Sequence, residues 1–94
     1  MFDWDAANMA HIARHRVTPL EAEQALSIFP IDLLRQYDEG EDRFLQIGVT
    51  AALRVLVVIT TWRGDLIRVI SAYEASASLR RRYWEERRET DGDV

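Results

Sequence analysis

The stretch LRVLVVITTWRGDLIRVISAY, Leu53 to Tyr73, reads as two β-strands joined by a tight turn. Its first run, Val55 to Ile59, is continuously apolar and mostly β-branched, and the second, Leu66 to Ala72, is nearly so but carries Arg68 in its middle. Strands of this composition belong in the centre of a sheet, covered on both faces. Arg63-Gly64-Asp65 supplies the turn chemistry between them. A charge inside such a strand is costly unless it is paired or reaches water. Arg68 therefore needs either a carboxylate partner or a functional groove.

Working outward, Thr50-Ala51-Ala52 turns back into a strand over Arg43 to Val49, with Phe44, Gln46 and Gly48 on one face and Leu45, Ile47 and Val49 on the other. Asp38 to Asp42 is an acidic turn, and Leu33 to Tyr37 is the strand before it. Short connections imply an antiparallel meander. Upstream, Thr18 caps a helix with Pro19 at its first position and Glu21 closing a capping box. Leu20, Ala25, Leu26 and Phe29 give that helix a buried stripe, and Pro30 stops it. Asp5 caps an earlier helix from Ala6 to about His15, with Met9, Ile12 and Ala13 as its apolar side. Asn8, His11 and His15 share its other flank at helical spacing. Phe2-Asp3-Trp4 reads as an edge strand. Downstream, Ser76 caps a last helix from Ala77 to about Glu89, with Leu79 and Tyr83 on one face, and residues 90–94 read as a frayed tail. The order β-α-α-β-β-β-β-α describes one α+β domain over residues 1–94, with helices packed on an antiparallel sheet.

The totals narrow the class of function. Ninety-four residues make one modest core. There is no cysteine, hence no disulfide framework and no thiolate site. No apolar run is long enough to cross a membrane and no N-terminal signal is read, so the cytoplasm is the expected compartment. A net charge of −4 argues against nucleic-acid binding driven by bulk charge. Every basic side chain other than histidine is arginine, which suits bidentate carboxylate or phosphate contacts. Arg80, Arg81, Arg82, Arg87 and Arg88 crowd the C-terminal segment; such a run reads as a solvated helix face or as a dock for an acidic partner or an RNA backbone.

Candidate chemistry gathers on His and Arg. His11 and His15 stand at i, i+4, a spacing that suits two imidazoles on one metal, but Ile12 takes the place of the zincin glutamate and Arg14 and Arg16 add positive charge. Surface histidines, or a proton-transfer or phosphate role, fit better than a metal site. The acidic turn lacks the ligand order of an EF-hand and reads as a solvated turn paired with arginines. Arg54, Arg63 and Arg68 lie on or beside the central hairpin; they form either structural ion pairs or a phosphate-binding surface. Tyr73, Tyr83, Trp62 and Trp84 are candidates to stack bases, with Tyr83 better placed in the core and Trp62 better placed in solvent. There is no P-loop, dinucleotide fingerprint, nucleophile elbow or paired catalytic carboxylates, so the residues alone do not fix a reaction.

Together these pieces resemble the BrnT family of toxins from type II toxin–antitoxin systems. Phe2-Asp3-Trp4-Asp5 is similar to the family's opening F-x-W-D, and His11 to Thr18, followed by Glu21-Ala22, to its N-x-x-K-H-G-V-S/T segment. Arg43 to Gly48 resembles E-R-x-x-x-I-G, Arg54 to Val58 resembles G-R-x-L-x-V-V, and Arg63 with Arg68 to Ala72 resembles R…R-I-I-S-A-R, with Tyr83 as the late tyrosine. His11, Arg14, Arg16 and Tyr73 depart from the family's usual Asn, Lys, Gly and Arg.

The resemblance implies a RelE-like fold and metal-independent, cofactor-free cleavage of RNA in the cytoplasm. It implies neutralisation by a BrnA-like antitoxin, with DNA reached only through that partner, and it is compatible with a homo-oligomer. By matched position the functional residues are Arg14, His15, Arg54, Arg63 and Arg68. His15 is assigned proton transfer, Arg54 and Arg68 phosphate stabilisation, and Arg14, Arg63, Tyr73 and His11 contacts to RNA. The rival reading is a non-catalytic module of the same fold that binds a DNA-binding partner for transcriptional autoregulation. A metal hydrolase stands third.

Overall fold

A computed structural model describes residues 1–92. The described residues form three helices and four strands: α1 (Ala6–Ala13), α2 (Pro19–Ser27), β1 (Ile31–Asp38), β2 (Glu41–Val49), β3 (Val55–Arg63), β4 (Leu66–Glu74) and α3 (Ala77–Gly92). The strands make one antiparallel meander in the order β1-β2-β3-β4. Two-residue turns join the outer pairs. Glu39 and Gly40 both take positive φ, at 48° and 85°, so the acidic run is a tight hairpin. Gly64, at φ 62°, makes the turn between β3 and β4.

Strand β3 separates two cores. Leu56 and Val58 face α1 and α2, packing with Ile12, Val17, Ala22 and Ala25. Val55 and Val57 face α3, packing with Ile47, Val49, Ala75 and Tyr83. The strand's two-residue period thus feeds both layers, and each fully buried aliphatic side chain contributes about 1.5–3 kcal/mol. This is the doubly covered strand expected of Val55 to Ile59. Strand β4 is not: it lies at the sheet's border, with Leu66 exposed and Arg68 reaching out past the edge. An apolar run reports burial, and β4 gains its burial from α1 and β3 rather than from a fifth strand.

Residue Ile70 is extra in the β3–β4 ladder, because Ile59 pairs with Ser71 and Thr60 with Val69. This bulge shifts the strand's alternation, so that Val69 and Ala72, three apart, enter the same core. The segment before α1 makes one parallel bridge, Phe2 to Ile67, rather than a full strand. Its bonds to β4 run from the Asp3 amide to the Ile67 carbonyl and from the Ile67 amide to the Met1 carbonyl, both 2.9 Å.

Helix α1 ends two residues before the expected boundary. Beyond Ala13 the amides of Arg16 and Val17 bond the carbonyls of Ala13 and Ile12, with Arg16 left-handed at φ 59°. This paired closure usually employs glycine at that position. The helix buries Asn8 and Ile12, while Met9 and Ala13 lie outside. Asn8 joins Asp5 in a reciprocal capping box and so belongs to the cap.

The stripe expected on α2 holds for Ala25 and Leu26, which pack on the core, and is corrected at its other two members. Leu20 is 65% exposed and Phe29 50%, and Ala22 and Ala25 are the buried pair. Leu20 lies about 200° around the helix from Ala22 at 100° per residue. The small residues face the sheet because α2 sits directly over Gly48, where a Cβ would run into the Ala25 carbonyl. Phe29 falls past the helix end, at φ 44°. Ser76 does cap α3, its hydroxyl accepting from the Leu79 amide, and Tyr83 is core. The helix continues to Gly92, and the remainder of the expected tail, residues 93–94, lies outside the described residues.

Candidate active site

The candidate residues line one border of the molecule, where α1 and the turn after it lie against β4. His11 on α1 and His15 in the turn after it stand four positions apart, and their rings are 6.1 Å apart between centroids. The His15 ring is also 6.1 Å from that of Tyr73 on β4. His11, Ala7 and Asn8 share a shallow open cavity with Arg68, Val69 and Ile70. The three rings therefore form a chain from helix to strand, with both imidazoles exposed. Imidazole exchanges protons nearest to neutrality among the side chains, and a phenol is both donor and acceptor.

At one end of this chain stands Arg54. Its Nη1 donates to the Arg16 carbonyl at 2.7 Å and to Glu21 Oε2 at 2.9 Å, and its Nε to Glu74 Oε1 at 3.2 Å. One guanidinium thus ties the α1–α2 turn, the start of α2 and the end of β4. Burial opposes its charge, but the Glu21 and Glu74 carboxylates hold its pKa above the ordinary value. Glu21 is shifted the other way: burial raises it, and the Thr18 amide and the Arg54 guanidinium outweigh that and lower it. Among the described residues no hydrogen bond involves Arg54 Nη2.

At the other end stands Arg68, whose side chain is 14% exposed. It meets Asp5 Oδ2 at 3.0 Å, Asp5 Oδ1 at 3.2 Å and Asp3 Oδ2 at 3.4 Å. The hydrogen bond to Asp5 raises the guanidinium's pKa and lowers that of the carboxyl. Arg63, exposed at the hairpin end, shares Asp3 Oδ2 at 3.4 Å. Arg14 is exposed and makes no ion pair among the described residues.

The structure thus gathers His11, His15 and Tyr73, flanks them with Arg54 and Arg68, and sets Arg63 beside Arg68. It also supplies carboxylate partners to Arg54, Arg63 and Arg68. The sequence left Arg68 a choice between a carboxylate partner and a functional groove, and Asp5 and Asp3 are the partners it meets. Asp5 and Glu21 were legible as helix caps, and each serves as cap and counter-ion together. Nothing local in the sequence marks Asp3 or Glu74 for this role. Trp62 is 57% exposed, as expected, and lines a separate groove with Leu26, Phe44 and Ile67. Among the described residues no three His, Asp or Glu side chains come together as metal ligands.

No curated protein matches the chain. A family model does, over residues 4–78, and it describes a ribonuclease toxin, BrnT, of type II toxin–antitoxin systems. That span takes in α1, α2, the whole meander, and every residue of the candidate site beyond Asp3. On that match the chain belongs to the BrnT family of ribonuclease toxins of type II toxin–antitoxin systems.

Proposed function

We propose that this chain, a single RelE-like domain, is the toxin of such a pair and cleaves RNA in the cytoplasm without a metal. A BrnA-like antitoxin neutralises it and provides its only link to DNA. In this reaction the RNA's own 2′-hydroxyl loses a proton and attacks the adjacent phosphorus. A bond forms from the 2′-oxygen to phosphorus, the bond to the 5′-oxygen breaks, and that oxygen takes up a proton. The protein has to position the strand, move two protons and stabilise charge on the phosphate. His15 moves a proton at its imidazole, and Tyr73 donates a hydrogen bond or serves as the acid. Arg14 and His11 hold the strand. Arg54 offers its unoccupied Nη2, and Arg68, with Arg63 beside it, offers positive charge from within its carboxylate pairs.

The observation that supports this reading is the contact of the exposed His15 ring with Tyr73, on the same border as both arginines. The test is cleavage of RNA by purified protein in EDTA. His15→Ala is expected to lower the rate by about 10²–10⁴, the usual contribution of a positioned acid or base. Growth arrest on expression without antitoxin, relieved by His15→Ala, is the cellular counterpart. Intact RNA and unimpaired growth would overturn the reading.

One observation favours a second reading, a non-catalytic module that binds a DNA-binding partner. Arg54 and Arg68 are both held by carboxylates, which suits a structural role. That reading expects no cleavage in EDTA together with tight complex formation with the product of the adjacent gene.

A further inference from the structure

The family match stops at residue 78, and most of α3 lies beyond it. At 100° per residue, Arg80, Arg81, Trp84, Arg87 and Arg88 fall within an arc of about 120°, while Glu85, Glu86 and Glu89 fall outside it. The helix buries Tyr83, and Leu79 and one side of half-buried Trp84 pack on the same core. Arg80, Arg81 and Arg88 are exposed and make no ion pair among the described residues. In a chain of net charge −4 this is a concentrated cationic face.

The face also has aromatic structure. The Arg87 guanidinium lies 4.4 Å from the centroid of the Phe29 ring and 5.3 Å from that of Trp84. Trp84, Arg87 and Arg88 line a shallow open hollow together with Leu53. Leu53 is 68% exposed and held out at φ 67°. The next residue is Arg54, whose side chain bonds the Arg16 carbonyl beside His15. The turn between β2 and β3 therefore connects the α3 face with the candidate active site around the end of the sheet.

We propose that the cationic face of α3, formed by exposed Arg80, Arg81 and Arg88 and half-buried Trp84 and Arg87 together with Leu53, is a second binding surface for single-stranded RNA. It holds the strand outside the cleavage site. Cations for the phosphates and an apolar, aromatic-walled hollow for a base form the combination that single strands require. Continuity with the candidate active site favours RNA over an acidic protein segment. The inference rests on RNA being the substrate, as proposed above.

The test compares Arg81→Ala/Arg88→Ala with a charge-matched control, Arg35→Ala/Arg82→Ala, whose arginines are ion-paired elsewhere. All four side chains are exposed, so both proteins are expected to fold. Binding of a labelled RNA of about 15 nucleotides is followed by anisotropy across salt concentrations. Two lost phosphate contacts on a single strand lower the slope of log K against log salt by about 1.4, and near 0.1 M salt the affinity by about 25-fold. The control is expected to stay near wild type, and cleavage of an RNA of about 4 nucleotides, too short to reach α3, to be unchanged in both. Equal losses in the two proteins, or no loss in the first, would overturn the proposal while leaving the nuclease intact. A wild-type protein that neither binds nor cleaves RNA would remove both. A poly-glutamate peptide that binds wild type, and that only Arg81→Ala/Arg88→Ala fails to bind while keeping its RNA affinity, would reassign the face to an acidic protein.

Discussion

Replacing Arg54 by alanine is expected to loosen three elements at once. The guanidinium is 23% exposed and meets the Arg16 carbonyl and Glu21 at 2.7 and 2.9 Å. Hydrogen bonds that involve a charged group contribute about 1.5–3 kcal/mol each. The third contact, to the largely exposed Glu74, adds at most about 1 kcal/mol. Taking the low end for each bond, because water enters the vacated space, the loss is about 3 kcal/mol. For a domain of this size that lowers the melting temperature by roughly 12–24 °C. Urea unfolding at neutral pH, followed by tryptophan fluorescence, reads the change as a lower midpoint at unchanged slope. Arg54→Lys keeps the charge but lacks the fork that spans three acceptors, and should recover less than half of the loss. RNA cleavage, measured well below the melting point of each variant, separates a contribution to phosphate stabilisation from this structural one. A loss under about 1 kcal/mol in Arg54→Ala would refute the clamp, since single charge-assisted bonds already exceed it.

Three further outcomes rest on other features. Gly48→Ala drives a Cβ into the Ala25 backbone, which has no rotamer to yield, so about 3 kcal/mol of stability should be lost by the same urea assay. Arg16→Gly relieves a left-handed non-glycine residue while keeping the carbonyl that Arg54 uses, and should raise stability by about 0.5–1 kcal/mol, with the urea midpoint moving up. The folded-state pKa values of Asp5 and Glu21 are lowered, so their stabilisation is complete above the ordinary carboxyl values of 3.8 and 4.5 and is lost as the pH falls through the lower folded values. The urea midpoint is therefore expected to drop below about pH 4.5, and Glu21→Gln to show a shallower drop than the parent protein.

Much of the architecture was legible because local chemistry and tertiary demand agreed. Thr18, Pro19 and Glu21 specified a helix start, Ser76 another, and Gly64 the turn between two apolar runs. What failed was information that local pattern does not carry. Composition placed Leu66 to Ala72 in the centre of the sheet, covered on both faces, whereas the strand borders the sheet. Leu20 and Phe29 outranked Ala22 on hydrophobicity alone, while Ala25 was placed in the stripe and is buried. Gly48, a residue without a side chain in an alternating strand, was the available sign that a backbone approaches closely there. The candidate site residues could be named, but their counter-ions could not. Asp3 and Asp5 reach Arg68 across 65 and 63 positions, and nothing between them encodes that meeting.

The two hems of the sheet are finished differently. Along β1 the outer selvage is broken by an irregularity at Leu33 and by the charges of Asp32 and Arg35, devices that discourage strangers from zipping on. Along β4 the chain's own first residues do that work, plugging Ile67 and lending Asp3 to two arginines. Removing residues 1–3 would strip both fittings together. The protein should then turn adhesive along that rim and self-associate strand to strand at concentrations where the intact chain does not, a change that light scattering would register.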